Sequence, residues 1–170
     1  MQQPHFPDEV FERELTIGHR WQRHVANFLV LQGLEVACSP LRIRPDYDAR
    51  KLYSDGDLIV GGSTLVEVKS RRVPFTSAAD IPAKHLPFFV DEVPNYLKKR
   101  QRPEAYVIVS TITGAMVSIA GADPTRWQVV RKQDTIRGCA CRWFAAPASC
   151  IRPVERLVQH LQNIARRAAA

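Results

Sequence analysis

Apolar and polar positions follow two different periods along the chain, and each period predicts one type of element. Residues 8–32 carry apolar side chains at helical spacing and stop at Gly33, which predicts a helical region, broken in two near Gly18. Shorter apolar runs bounded by turn residues come next and are typical of strands. Residues 153–170 return to helical spacing behind a proline, which predicts a closing amphipathic helix.

The strand-like runs fall in the middle of the chain. They read "LEVACSPLRI", "LIV", "TLVEVKS", "AYVIVSTI" and "AMVSIA", with the shorter "RWQVVRK" and "CRWFAAP" after them. Residues 73–94 contain several prolines and predict loop with a short helix. The order of helix, strand, hairpin, loop or helix, strands and helix predicts an α/β fold. We expect a small mixed β-sheet flanked by helices, in a single domain that spans residues 1–170.

The hairpin that begins at Asp57 places charged residues in the most strand-like part of the chain. It reads "DLIVGGSTLVEVKS", two apolar runs joined by a glycine-rich turn. Glu67 and Lys69 are two residues apart and therefore share one face of the returning strand, while two valines point to the other face. A tight hairpin brings its two ends together. The pattern therefore predicts that Asp57 lies beside Glu67 and Lys69.

Two converging carboxylates and a lysine suit one type of chemistry. Carboxylates repel each other unless a positive charge lies between them. Mg²⁺ takes oxygen ligands and commonly one or two protein carboxylates, and a nearby lysine can stabilise charge on a phosphoryl group or orient the attacking water. The set favours metal-assisted hydrolysis of phosphodiesters with Mg²⁺, for which Mn²⁺ substitutes. The alternative is that Glu67 and Lys69 form only a surface ion pair.

The stretch "GDLIVGGSTLVEVKSR" resembles the PD-(D/E)xK nuclease superfamily, which has the restriction-endonuclease-like fold. The resemblance implies that Asp57 and Glu67 are metal ligands, that Lys69 is the catalytic lysine, and that the backbone carbonyl of Val68 completes the coordination. A literal Pro-Asp pair ends at Asp46, upstream of the hairpin. We prefer Asp57 for the first acid because it immediately precedes the "LIV" strand. Asp55 is a weaker competitor.

The first helix adds a second resemblance. Holliday-junction resolvases of this superfamily show a glycine, an acid four residues later and a further glycine before the first strand. Gly18, Gln22 and Gly33 match this spacing, but Gln22 stands where the acid is expected. We expect its neutral amide to hold a metal-bound water at the catalytic site. Glu14 is the alternative helix residue for this role.

The net positive charge of the chain indicates an anionic partner. The net charge is +7 and the isoelectric point is near 9.6, which favours a polyanion such as DNA. Basic residues after the hairpin and in the run that ends near Pro103 are candidate phosphate contacts, with a solvated, solubilising face as the alternative. These candidates are Arg71, Arg72, Lys98, Lys99, Arg100 and Arg102.

Apolar content and cysteine usage indicate a compartment. No apolar run reaches the roughly 18 residues of a membrane helix, and the first residues do not resemble a signal peptide. The four cysteines include a C-A-C pair, which is not the spacing of a zinc knuckle, so we expect reduced thiols. The sequence predicts a cytoplasmic protein of a bacterial or phage-infected cell, with no membrane partner.

Together these features predict a metal-dependent DNA endonuclease. Small size favours structure-specific cutting, such as branched DNA or Holliday junctions, or a phage-type accessory nuclease. A homodimer is expected because cutting two strands usually requires two active sites. The alternatives are a sequence-specific restriction endonuclease, a catalytically inactive DNA-binding module of the same fold, and an assembly protein whose basic surface binds an acidic partner.

Overall fold

A computed structural model describes residues 8–41, 57–134 and 138–169. In these ranges the helices are α1 (Asp8–Leu31), α2 (Val93–Lys98) and α3 (Val154–Ala168). The strands of the first half are β1 (Val36–Cys38), β2 (Leu58–Val60), β3 (Thr64–Arg71) and β4 (Phe88–Glu92). Those of the second half are β5 (Ala105–Ser110), β6 (Met116–Ala120), β7 (Gln128–Asp134), β8 (Cys139–Ala146) and β9 (Ile151–Pro153). The predicted α/β class is confirmed.

The central sheet has six strands in the order β1-β2-β3-β5-β6-β9. β3 and β5 are parallel and the other neighbouring pairs are antiparallel, so the sheet is mixed, as predicted. Val66 and Val68 of β3 point to one face, where they pack in one buried cluster with Leu29 of α1 and Leu161 of α3. This packing fixes which face of β3 is apolar and leaves Glu67 and Lys69 on the other face.

A second sheet, in the order β4-β8-β7, covers the other face of the central sheet. Tyr106 and Ile108 of β5 share a buried cluster with Phe88 of β4, Phe144 of β8 and Tyr96 of α2. The sequence predicted β7 and β8 of this layer as the short strands "RWQVVRK" and "CRWFAAP". It did not predict β4, which lies in the proline-rich stretch that was predicted as loop with a short helix. The central sheet therefore has helices on one face, and a small sheet with a short helix on the other.

The predicted break of the first helix at Gly18 is wrong. α1 is continuous through this position, and a Cβ atom built on Gly18 would meet no atom within 4 Å. A single interior glycine costs a helix about 1 kcal/mol. The buried side chains of Val25 and Leu29 on the same helix outweigh this cost. A lone glycine without a second breaker therefore did not end the helix.

Replacing Gly18 tests this description of α1. Gly18→Ala should raise the free energy of unfolding by about 0.5–1 kcal/mol, because alanine loses less backbone entropy and there is space for its methyl group. Gly33→Ala is the matched control at the end of the same helix. Gly33 has φ +79°, so alanine should destabilise there. Urea denaturation of both variants measures the two effects, and a loss of stability in Gly18→Ala would contradict a continuous helix.

Candidate active site

The β2–β3 hairpin positions the first acid. Its turn contains Gly61 at φ 57° and Gly62 at φ 78°, left-handed conformations that glycine adopts without strain. Leu58 pairs with Val66, so Asp57 lies opposite Glu67, one step beyond the paired residues. The predicted proximity of the two acids thus follows from the register of the hairpin. The alternative acids Asp46 and Asp55 lie outside the described residues.

Two donors hold the Asp57 carboxylate. Gln22 Nε2 of α1 donates to Oδ1 at 2.7 Å, and the Val68 N–H of β3 donates to Oδ2 at 2.7 Å. Burial raises the pKa of Asp57 to about 6, although the charge of Lys69 and the Val68 hydrogen bond act in the opposite direction. The Glu67 carboxylate adds to the upward shift of this pKa. Asp57 is therefore a desolvated carboxyl group with a fixed orientation.

Gln22 occupies the helix position that the sequence singled out. Its amide faces Asp57 and donates directly to the carboxylate through nitrogen, and the metal-bound water expected at this position stays a prediction. Glu14, the alternative helix residue, lies two turns earlier on α1 with 54% of its side chain exposed and forms an ion pair with Arg13 at 3.6 Å. Gln22 is thus the α1 residue that contacts the acid, and it brings no charge to the site.

The backbone carbonyl of Val68 points to the same side of β3 as Asp57. In an extended strand, the N–H and C=O of one residue face the same neighbour, and successive residues alternate. The carbonyls of Leu65 and Arg71 accept hydrogen bonds from the β5 side of the sheet. Val68 has the opposite parity, and its N–H donates to Asp57. Its carbonyl is therefore directed beside the Asp57 carboxylate, where the predicted ligand role requires it.

Glu67 lies between two lysines. Only 6% of this residue is exposed. Lys69 Nζ lies 3.1 Å from Oε2, and Lys99 Nζ donates to Oε1. The shared face of Glu67 and Lys69 is confirmed. Because the carboxylate is buried, the alternative of a solvated surface pair does not describe this contact.

Lys99 extends the cluster to a third acid. Its ammonium group lies 3.4 Å from Oδ2 of Asp91, a buried residue of β4 that also accepts a hydrogen bond from the Tyr106 hydroxyl at 3.0 Å. Burial acts to lower the pKa of Lys99, but the hydrogen bond and charge of Glu67 and the charge of Asp91 raise it overall. Burial and the charge of Asp91 raise the pKa of Tyr106. Lys99 is therefore a fixed cation shared by two buried carboxylates.

Two of the six predicted phosphate contacts have partners inside the protein. The Arg71 guanidinium donates to the carbonyls of Ser70 at 2.9 Å and Phe89 at 2.7 Å, which ties β3 to β4. Lys99 pairs with Glu67 and Asp91. Both residues thus lack the solvent-facing position that the prediction assumed, because burial gives them internal acceptors.

The other four predicted phosphate contacts are exposed. Arg102 lies over the Tyr96 ring, with its Cζ 5.1 Å from the ring centroid, and this contact limits where the guanidinium points. The remaining three have no contact of this kind among the described residues and face solvent, as expected of either a DNA contact or a solubilising face. They are Arg72, Lys98 and Arg100.

The oxygen atoms of the site fit a hard divalent cation. Asp57, Glu67 and the Val68 carbonyl provide hard oxygen ligands, and Mg²⁺ typically uses one or two carboxylates and keeps several waters. Each carboxylate oxygen has a second lone pair beyond the hydrogen bond that it accepts. No group of three or more histidine, cysteine, aspartate or glutamate side chains arranged to hold a metal occurs within residues 8–41, 57–134 and 138–169. Protein ligands for an ion would therefore number two carboxylates and one carbonyl.

Comparison of the chain with protein-family models, curated proteins and solved structures finds no match. Across the described ranges, no helix has the length and apolar character needed to cross a membrane. The interpretation of the site therefore depends on its geometry and on the residues of the hairpin.

The raised pKa of Asp57 predicts a pH dependence of stability. A carboxyl group whose folded pKa lies above its unfolded value stabilises the fold less as pH rises from about 4 to about 6. Asp57→Asn removes this effect, and Gln22 can turn its amide to accept from the new side chain. The free energy of unfolding of the variant should equal that of the wild type near pH 4 and exceed it by about 2–3 kcal/mol at pH 7. Denaturation in EDTA across this pH range measures the difference.

Asp80→Asn provides a control of opposite sign for that experiment. Hydrogen bonds from Thr76 and Ser77 lower the pKa of Asp80 to about 2, so its ionised form stabilises the fold. This stability is present above pH 4 and is lost as pH falls towards 2. The Asp80 variant should therefore be less stable than the wild type at pH 7. If Asp57→Asn is also less stable than the wild type at pH 7, the assigned environment of Asp57 is wrong.

The two lysines of the cluster should differ in their effect on stability. Lys99→Met leaves the buried Glu67 and Asp91 carboxylates short of a counter-charge and should cost about 3 kcal/mol. Lys69→Met should cost less than about 1 kcal/mol, because 28% of the Lys69 side chain is exposed, against 16% for Lys99. Adding Asp91→Asn to the Lys99 variant should restore part of the loss. Equal costs for the two lysines would contradict this arrangement.

Proposed function

We propose that the protein is a metal-dependent nuclease that hydrolyses phosphodiester bonds in DNA. One observation carries the proposal. Asp57 and the buried Glu67 lie opposite each other across the β2–β3 hairpin, with Lys69 3.1 Å from Glu67 and the Val68 carbonyl directed beside Asp57. Residues that serve only packing do not need this set of desolvated oxygen atoms. The resemblance of the hairpin to the PD-(D/E)xK superfamily supports the same reaction.

The site residues would divide the work as follows. Asp57, Glu67 and the Val68 carbonyl would hold Mg²⁺ or Mn²⁺, which supplies a Lewis acid and an activated water. Gln22 fixes the orientation of the Asp57 carboxylate from α1. Lys69 holds a positive charge at the exposed side of the cluster, where it can stabilise the phosphate as charge develops and orient the attacking water.

The substrate and assembly belong to the same proposal. A single small domain with a basic net charge suits cutting that is guided by DNA structure, such as a branched or Holliday junction, in a phage-type accessory role. Cutting of both strands would call for a homodimer, and the reaction would take place in the cytoplasm. A restriction endonuclease that reads a specific sequence would use the same chemistry.

A DNA-binding module without catalysis is the second candidate, and one observation favours it. Every oxygen of Asp57 and Glu67 already has a hydrogen-bond or ion-pair partner within the protein, and Gln22 brings no third carboxylate. A site of this kind can be stable without an ion. Metal binding and cleavage distinguish the two candidates.

Cleavage of supercoiled plasmid and of a synthetic four-way junction tests the proposal. We expect products with Mg²⁺ or Mn²⁺ and none in excess EDTA. Either metal should also raise the melting temperature of the wild type and have no such effect on Glu67→Gln. Absence of cleavage and of the thermal shift, together with retained DNA binding, would favour the second candidate. Cleavage that persists in EDTA would exclude the metal role.

Lys69→Ala should lower the cleavage rate by about 10²–10³-fold, the loss typical when one group that stabilises transition-state charge is removed. DNA affinity and folding should change little, since the side chain is partly exposed. Lys84→Ala is the matched control, because Lys84 is an exposed lysine in a short helical turn away from the hairpin. Single-turnover rates and binding curves for both variants measure the effect. Wild-type cleavage by the Lys69 variant would reduce Glu67 and Lys69 to a structural ion pair.

A further inference from the structure

A groove of about 700 Å³ lies between α1 and the β5–β6 turn. One wall is formed by residues 16–27 of α1, and the other by the β5–β6 turn at residues 111–114, with Leu41 also lining the groove. His24 Nε2 lies 3.1 Å from the carbonyl of Gly114, a contact that joins the two walls. The volume is within the range of pockets that bind small molecules or short segments of a larger ligand.

The groove and the hydrolytic residues share one edge of the central sheet. Gln22, which holds Asp57, lies between Trp21 and Arg23, and both of these neighbours line the groove. On the opposite wall, the Thr111 N–H donates to the carbonyl of Arg71 at 2.9 Å, which places the turn at the end of β3 that carries Lys69. The groove therefore lies at the same end of β3 as the site that we propose for hydrolysis, on the α1 side of the sheet, whereas Glu67 and Lys69 project from the other face.

The lining is basic, and none of the described residues that form it is an acid. Arg20 and Arg23 are exposed on α1, and His19 and His24 lie beside them. Arginine presents a planar set of donors that matches phosphate oxygens. The groove therefore suits an anionic ligand.

Aromatic and apolar groups accompany the charges. Trp21 is half-buried, with the Arg20 Cζ 5.8 Å from its ring centroid and the His24 ring 5.5 Å away in an edge-on arrangement. Ile112 is 56% exposed and Leu41 is 39% exposed on the lining. Rings and apolar side chains among arginines form a surface for the flat faces of bases between phosphates.

We propose that this groove binds a single-stranded segment of nucleic acid and leads it to the site at the same end of β3. Arg20 and Arg23 contact phosphates, and the ring of Trp21 contacts a base. A duplex hides its base faces in the stack, so it would use the arginines and leave the recessed ring without a partner. The delivery of this strand to Asp57 and Lys69 rests on the proposed function, whereas the binding itself does not. Substrates with an unpaired strand, such as a flap, an overhang or an opened junction, are the class that the groove selects.

Fluorescence anisotropy with labelled 15-nucleotide probes tests the binding separately from the chemistry. The full chain is titrated in EDTA with single-stranded DNA, single-stranded RNA and a DNA duplex of the same sequence. We expect single strands to bind more tightly than the duplex, and the DNA and RNA arms identify which polymer is preferred. The dependence on salt is recorded for each probe.

Variants of the groove identify where the strand binds. Arg20→Ala/Arg23→Ala should weaken single-strand binding about 10-fold or more and reduce the slope of log K against log salt by about 1.4, the value for two lost phosphate contacts. Arg131→Ala/Arg142→Ala is the matched control, since these exposed arginines pair across β7 and β8 of the second sheet. It should leave both quantities unchanged. Trp21→Leu should weaken the single strand more than the duplex, whereas Trp21→Phe, which keeps a ring, should restore most of the affinity.

The outcomes separate this proposal from the proposed function. Three results would each contradict binding in the groove. The first is wild-type affinity and salt slope in Arg20→Ala/Arg23→Ala, and the second is an equal loss of affinity in the two arginine double variants. The third is a duplex that binds as tightly as the single strand. Thermal melting shows whether Trp21→Leu is folded. The variants of the exposed arginines test binding in the groove without changing a partly buried side chain. Loss of single-strand binding in the groove variants supports the proposal even if no DNA is cleaved. If DNA is cleaved with metal but Arg20→Ala/Arg23→Ala binds single strands like the wild type, the proposed nuclease function stands and the proposed binding groove is wrong.

Discussion

An ionised carboxylate buried in a protein is stable only if counter-charges or hydrogen-bond donors compensate for lost solvation, and this constraint organises the centre of the structure. Glu67 is 6% exposed and contacts two ammonium groups, one from its own strand and one from the residue after α2. Removal of Lys99, the more buried of the two, would leave part of a buried charge without compensation. Lys99 also contacts Asp91 of β4, so the same cation connects the central sheet to the second sheet. The ion cluster therefore joins two layers of the fold at the point where the candidate site lies.

The alternation of β3 separates the packing function of the strand from its chemistry. Its even-numbered residues include Val66 and Val68, which pack against α1 and α3 and make the strand a buried part of the core. Its odd-numbered residues include Glu67 and Lys69, which face the second sheet and the open edge. A strand fixed by packing on one face gives its other face little freedom to move. The site thus gains a fixed geometry from residues that take no part in its chemistry.

The sequence predicted the parts of the site that depend on local periodicity. Strand alternation and hairpin closure placed Asp57, Glu67 and Lys69 together, whereas attention to Gln22 came from the resemblance of the Gly18–Gln22–Gly33 spacing to Holliday-junction resolvases. It did not predict the roles of Lys99 and Asp91, because the contacts of Lys99 with Glu67 and Asp91 depend on how α2 and β4 fold back over the sheet. No spacing in the sequence relates these segments to the hairpin. The same reason explains β4 itself, since prolines around the strand resembled a loop and its pairing partner is the distant β8.

The net charge of the cluster indicates which kind of ligand it favours. Asp57, Glu67 and Asp91 contribute three negative charges when ionised, and Lys69 and Lys99 contribute two positive ones, so the cluster carries one net negative charge. Such a cluster attracts a cation, and burial raises the pKa of Asp57 because the ionised carboxylate is poorly solvated there. With a divalent ion the net charge would become one positive, which matches the single negative charge of a phosphodiester.

Lys99 is the residue that gives the cluster this net charge. With Lys69 alone the cluster would be neutral after the ion is bound, and attraction for the phosphate would depend on surface arginines alone. The internal position of Lys99, which at first removes a candidate DNA contact from the surface, therefore gives the site a charge suited to the substrate that we propose.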